Sequence, residues 1–181
     1  MTIEVRALLK SDDRKSFTSG DVELDRFFHQ YAGQNQFKHA IGTTYVALNP
    51  DIVGYATVAI GELDGASIPQ RLAKKLPNYP LPILRLARLA TAQSARGTGV
   101  GKALLRTVLE IAVELSSRVG CVGVVVDAKH GAIPFYERYQ FIALESVSGE
   151  SPQRPRTSPM FLEIDGTLRI GFRSIGTLVL S

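Results

Sequence analysis

The chain has 181 residues, 45% of them hydrophobic and 21% charged, with a single cysteine. That is the size and balance of an ordinary soluble globular domain with a core of its own, and one cysteine excludes an internal disulfide or a cysteine-based zinc site. The net charge of +4 suits an anionic partner without identifying one; no apolar run nears the roughly eighteen residues that span a bilayer, and the N-terminal MTIEVRALLKSDDRK lacks a secretory pattern, so a cytoplasmic protein away from the membrane is expected.

In chain order, TIEVRAL (2–8) alternates apolar and polar side chains and predicts a strand. In SGDVELDRFFHQYAGQNQFK the period changes: Leu24, Phe27, Phe28 and Tyr31 fall on one helical face, with Ser19 or Asp21 placed to cap the start. TTYVALNPDIVGYATVAI predicts two strands, about 43–49 and 52–60, joined by the turn residues Asn49, Pro50 and Asp51. SIPQRLAKKL reads as a short basic helix, and the three prolines of the following LPNYPLP make that stretch a connector.

ILRLARLAT (83–91) alternates again and predicts a strand. Beyond a glycine loop, Val100, Leu104, Val108, Ile111 and Leu115 keep helical spacing to about Val119. CVGVVVDA (121–128) is a continuous β-branched run, the mark of a strand buried on both faces. GAIPFYERY predicts a short helix, FIALES a strand, and PMFLEI (159–164) another. No internal repeat or linker divides this order, which predicts one mixed α/β domain over 1–164. The remaining tail, 165–181, alternates as an extra strand would and carries no assigned function.

The loop QSARGTGVGK (93–102) decides most about function. A triphosphate loop needs G-x-x-x-x-G-K-[ST], but Ala103 follows Gly101-Lys102 and Arg96 stands five residues before Gly101. A dinucleotide fingerprint needs G-x-G-x-x-G, and Gly97-x-Gly99-x-Gly101 has the wrong spacing. What remains is Arg96-x-x-Gly99-x-Gly101 between a strand and a long helix. Glycines let backbone N–H groups turn toward a ligand, and the helix start adds unpaired N–H groups and a positive dipole end. Such a site suits a pyrophosphate; the alternative is a glycine-rich turn that binds nothing.

LARLATAQSARGTGVGKALLRTVLEIA resembles the central motif of the GNAT superfamily of N-acetyltransferases, [RQ]-x-x-G-x-[GA], matched by Arg96, Gly99 and Gly101. AIPFYERYQF is similar to the second GNAT segment, F-Y-x-x-x-G-F, with Gln140 where the glycine is usual. The resemblance implies the GNAT fold: a mixed, mostly antiparallel sheet of six to seven strands, splayed at a cofactor cleft between the strands 83–91 and 121–127, with about four flanking helices. It implies acetyl-CoA as co-substrate. The backbone of Leu89, Ala90 and Thr91 would pair with its pantetheine arm as an added strand does, and the backbone of Arg96, Gly97, Thr98, Gly99, Val100, Gly101 and Lys102 would hold its pyrophosphate.

Tyr136 in PFYERY occupies the position of the GNAT tyrosine general acid; a phenol with an ordinary pKa near 10 is protonated at neutral pH. Tyr139 is the control on nearly the same face. Glu62, Asp64, Asp127 and Glu137 are candidate bases that read more simply as surface or structural acids. His29, His39 and His130 are too scattered to hold a metal, so none is expected.

The N-terminal half, with Gly20, Leu24 and Phe27, then Gln34-Asn35, Thr43 to Ala47, and Arg85 to Leu89, resembles the GNAT toxins of bacterial type II toxin–antitoxin systems. That resemblance implies acetylation of the α-amine of aminoacyl-tRNA, arrest of translation, a ribbon-helix-helix antitoxin as partner, and a homodimer. Lys74, Lys75, Arg85, Arg88, Arg154 and Arg156 then become candidates for tRNA phosphates, Arg85 and Arg88 first. The alternatives are a GNAT enzyme acting on a small amine or a protein N-terminus, and a non-catalytic module that binds coenzyme A or an antitoxin.

Overall fold

Alternation along the strands and a four-residue rhythm along one long helix account for most of the architecture. The computed structural model describes residues 2–144 and 157–165. In chain order it contains β1 (Glu4–Ala7), α1 (Val22–Arg26), a π-helical turn (Phe27–Tyr31), α2 (Ala32–Phe37), β2 (Thr43–Leu48) and β3 (Ile52–Leu63). After these come α3 (Gln70–Ala73), β4 (Leu81–Thr91), α4 (Val100–Arg118), β5 (Gly123–Lys129), α5 (Ile133–Arg138), β6 (Ile142–Ala143) and β7 (Thr157–Glu163). The seven strands are ordered β1-β2-β3-β4-β5-β7-β6. The predicted mixed α/β class holds, and the seven strands fall within the six to seven expected. The expected strand 141–146 is reduced to the two residues of β6, and Glu145 and Ser146 lie outside the described residues, as do Arg154, Arg156 and the tail beyond Asp165.

The chain forms two compact units, one made of residues up to Ala59 together with Leu86–Leu109, the other of Ile60–Arg85 and the described residues from Glu110 onward.

In the first unit β1, β2 and β3 form an antiparallel meander, β1 pairing Val5 with Ala47 and β2 pairing Thr44 with Thr57. The last pair is buried, and its two hydroxyls bond each other at 2.8 Å. The helical segment matches its prediction only in part. Asp21 caps α1, accepting from the N–H groups of Glu23 and Leu24, and Phe27 and Phe28 are buried, but Tyr31 is 45% exposed. The reason is the π-helical turn, in which the Ala32 N–H reaches back to the Phe27 carbonyl. The wider turn holds one more residue than an α-turn and rotates the next residues off the buried face.

That turn also lets two adjacent phenylalanines reach the core. Phe28 stacks on Tyr55 with centroids 4.4 Å apart, Phe27 stacks on it at 6.3 Å, and Phe17 meets Phe28 and Tyr55 edge-on. The Tyr55 hydroxyl donates to the Leu24 carbonyl, so the ring is buried with its polar end satisfied. Burial pushes its phenol well above the ordinary value.

α4 starts in this unit, with Val100, Leu104, Leu105, Val108 and Leu109 all buried. This is a broader apolar face than the one-stripe reading. The helix comes close to β3 because residue 54 has no side chain: a Cβ there would stand 2.5 Å from Val100 Cγ1 and 3.0 Å from both the Ala90 carbonyl oxygen and Leu104 Cδ1.

In the second unit β5 pairs antiparallel with β7, and β7 with β6. Val124, Val125 and Val126 of β5 are buried in succession, as the continuous β-branched run predicted. Leu63, Ile68, Leu81, Ile83, Val125, Leu144 and Phe161 form the core, and Leu72 and Leu76 pack against it. The basic helix predicted here amounts to the four residues of α3, preceded by a short 3-10 turn capped by Asp64.

Gly54→Ala is expected to lower stability by about 1–3 kcal/mol, because the added methyl meets backbone as well as side chains. Chemical denaturation measures the loss.

Candidate cofactor loop and active-site residues

β4 ends at Thr91, and the chain crosses to α4 through a 3-10 turn (Gln93–Ala95) and the loop residues 96–99. Gly97 and Gly99 have φ of +74° and +90°, and nothing lies within 4 Å of where a Cβ would stand on either. Glycine is therefore required by the backbone path and not by crowding. The Ala103 N–H bonds the Gly99 carbonyl at 3.0 Å and closes the first turn of α4. The N–H groups of Val100, Gly101 and Lys102 precede that bond and lie at the positive end of the helix dipole. Unpaired N–H groups at the start of a long helix are the kind of group that can accept an anion.

Two predicted loop residues have other partners. The Thr98 hydroxyl donates to the Ala95 carbonyl at 2.6 Å, and its N–H points to the same oxygen at 3.4 Å. The Arg96 guanidinium donates through Nη2 to the Ser19 carbonyl at 2.6 Å.

At the end of β4 the Ala92 N–H donates to the Val53 carbonyl at 2.8 Å. Backbone polar groups alternate between the two edges of a strand. Ala90 and Ala92 therefore address β3, while Leu89 and Thr91 present theirs to the other edge of β4. Of the three residues expected to pair with an added strand, those two have the matching orientation.

Tyr136 lies on α5, a helix started by Pro134 at its first turn. It is 5% exposed, with its ring edge-on to Phe135 at 5.1 Å and to Phe141 at 5.4 Å. Burial pushes its phenol well above the ordinary value, so the hydroxyl keeps its proton at every physiological pH. No described residue hydrogen-bonds that hydroxyl.

The helix end behind Tyr136 has the Schellman pattern. The Phe141 N–H bonds the Tyr136 carbonyl at 3.1 Å and the Gln140 N–H bonds the Glu137 carbonyl at 2.9 Å, while the Tyr136–Phe141 ring contact supplies the apolar clasp. Gln140 takes the left-handed position with φ of +68°. The glycine expected there is absent, but the glycine geometry is kept. Tyr139 caps this end and packs edge-on against Phe135 at 5.2 Å, a more exposed place than that of Tyr136.

The candidate bases have structural surroundings. Asp127 pairs with Arg85 at 3.1 Å, Asp64 caps a turn, and Glu62 and Glu137 are exposed. His29 bonds the Phe17 carbonyl at 2.7 Å.

Among the basic residues, Lys74 and Lys75 are exposed in the turn after α3. Arg85 makes the ion pair with Asp127 just described, an exposed pair of the kind worth at most about 1 kcal/mol. Arg88 lies over the Phe27 ring, its guanidinium carbon 3.8 Å from the centroid, a cation–π contact that leaves no trace in the sequence pattern. Three residues apart on β4, the two arginines point to opposite faces, as alternation requires.

Comparison with known proteins gives concordant matches. A family model for the acetyltransferase (GNAT) family matches residues 3–141. A tRNA-acetylating toxin of Mycobacterium tuberculosis (strain ATCC 25618 / H37Rv) is 29% identical over 137 residues, which cover 75% of this chain and 82% of that protein. Among solved structures, AtaT complexed with acetyl-methionyl-tRNAfMet superposes with a TM-score of 0.76 at 23% identity, covering 90% of this chain and 95% of that one. A tyrosine-to-phenylalanine variant of AtaT bound to the C-terminus of the antitoxin AtaR and acetyl-CoA gives 0.73 at 20% identity, covering 96% and 100%.

Gln140→Gly is expected to raise stability by about 1 kcal/mol, since it relieves an L-residue from left-handed backbone. Thermal unfolding would move up by a few degrees, with the helix end behind Tyr136 unchanged.

Proposed function

This chain belongs to the acetyltransferase (GNAT) family, and on that footing we propose that it transfers the acetyl group of acetyl-CoA to the α-amine of aminoacyl-tRNA and so arrests translation. The observation that carries the acceptor is the likeness to a tRNA-acetylating toxin over 82% of that protein's length. We propose further that residues 1–164 act as one catalytic domain in the cytoplasm, as a homodimer neutralised by a ribbon-helix-helix antitoxin. A structural neighbour solved with its antitoxin supports the antitoxin partner.

The loop fits the cofactor. Gly97 and Gly99 leave open space, and the N–H groups of Val100, Gly101 and Lys102 suit the pyrophosphate. The backbone groups of Leu89 and Thr91, turned away from β3, have the orientation that suits the pantetheine amides. Bound acetyl-CoA would supply the activated acyl group. Tyr136 holds a proton at its hydroxyl oxygen for the departing sulfur, and burial keeps the phenol in that donor form. An aminoacyl ester lowers the basicity of its amine, which reaches the neutral, nucleophilic state without a strong base. The structural partners of Asp64 and Asp127 agree with that. Lys74 and Lys75 meet tRNA phosphates as solvated charges. Arg88 is pre-oriented on Phe27, and Arg85 exchanges Asp127 for phosphate.

Tyr136→Phe is expected to cut acetylation of charged tRNA by a factor of roughly 10² or more while leaving the melting temperature in place. A wild-type rate in that variant removes Tyr136 from the chemistry. In vitro translation with and without acetyl-CoA, beside a panel of small amines and peptide N-termini, tests the acceptor: inhibition should require acetyl-CoA, and acetylation of the panel without charged tRNA would overturn the assignment.

A further inference from the structure

The geometry points to Asp25 as a positioning residue for the cofactor loop, acting through the turn at residues 18–20 and the side chain of Arg96. The inference rests on the acetyl-CoA reading above and adds to it a residue on α1, outside the loop itself.

Three donors converge on the Asp25 carboxylate. Its Oδ1 accepts the Ser19 N–H at 2.8 Å and the Ser19 hydroxyl at 2.6 Å, and its Oδ2 accepts the Thr18 hydroxyl at 3.1 Å. Ser19 is buried, so the turn has one preferred path. Its two carbonyls serve the loop: Thr18 accepts the Gln93 N–H at 3.1 Å, and Ser19 accepts Arg96 Nη2 at 2.6 Å. Gly20 comes next with φ of +85°, and any Cβ there would run into the Gln93 side chain. Both ends of the segment 93–96, which leads into the glycines, are thus tied to a turn that Asp25 holds.

Such a tie has work to do. Gly97 and Gly99 meet nothing that could limit them from the side, and glycine backbone is the most mobile of all. An untethered loop would have to lose that freedom when the pyrophosphate binds, which weakens binding. Arg96 consequently supports the cradle by gripping a carbonyl. Its guanidinium is the connection between Asp25 and the loop, a role distinct from that of a phosphate ligand.

The test is a double-mutant cycle read by calorimetric titration of the full chain with CoA. Asp25→Asn and Arg96→Ala are each expected to weaken CoA binding about tenfold. The double variant should be no weaker than either single one, because both cut the same connection. For Asp25→Asn, KM for acetyl-CoA should rise with kcat at saturation unchanged. Ser19→Ala, a milder cut that keeps the backbone bond, carries the test if Asp25→Asn does not fold, and should weaken CoA binding about threefold. Wild-type affinity in Asp25→Asn or in Ser19→Ala, or single effects that multiply in the double variant, overturns the positioning role alone. A wild-type chain that does not bind CoA overturns the acetyl-CoA reading with it.

Discussion

An α-helix begins with backbone N–H groups that its own carbonyls cannot reach, and the first unit is arranged around where α4 directs them. Val100 is both the first helical residue and a buried one. The helix can start only where its apolar face meets β3, and Gly54 sets how close that meeting is. The glycines before it give the chain a path out of β4, and the turn at residues 18–20 holds the opposite end of that path. The packing of Val100 and the left-handed backbone of Gly97 and Gly99 thus share one short stretch of chain.

How much of this was legible in the sequence depends on whether a feature belongs to the backbone pattern or to side-chain partners. The strands, the long helix and the loop were legible because periodicity and glycine spacing are properties of the chain itself. The π-helical turn was not. Leu24, Phe27, Phe28 and Tyr31 satisfy an ideal helical face, and only the competition of two adjacent phenylalanines for one core widens the turn and sends Tyr31 to solvent. The Arg96–Ser19 bond, spanning 77 residues of sequence, leaves no local trace either. The Schellman end of α5 is signalled only through the family resemblance, which has glycine where Gln140 stands; the glutamine itself gives no sign of the left-handed backbone it adopts.

The charged residues sort in a similar way. Alternation along β4 already sets Arg85 and Arg88 apart, and the fold gives each arginine its own setting. One is matched by a carboxylate and the other lies over an aromatic ring. Arginine suits both because its planar guanidinium pairs with carboxylates and stacks on rings, so a lysine at position 88 would keep the charge and lose the stacking surface.

The buried Thr44–Thr57 hydroxyl pair has a consequence for how the chain finds its register. Each hydroxyl satisfies the other only when these residues stand directly opposite. A one-residue slip of β2 against β3 would leave two polar groups stranded in the core, at about 1–3 kcal/mol each. The same slip would reverse the faces of β3 and carry Gly54 away from Val100, bringing Val53 or Tyr55 beneath the start of α4. Two small hydroxyls in a hairpin thus act as an error check during folding: the pairing they reward is the one that leaves room for the start of α4.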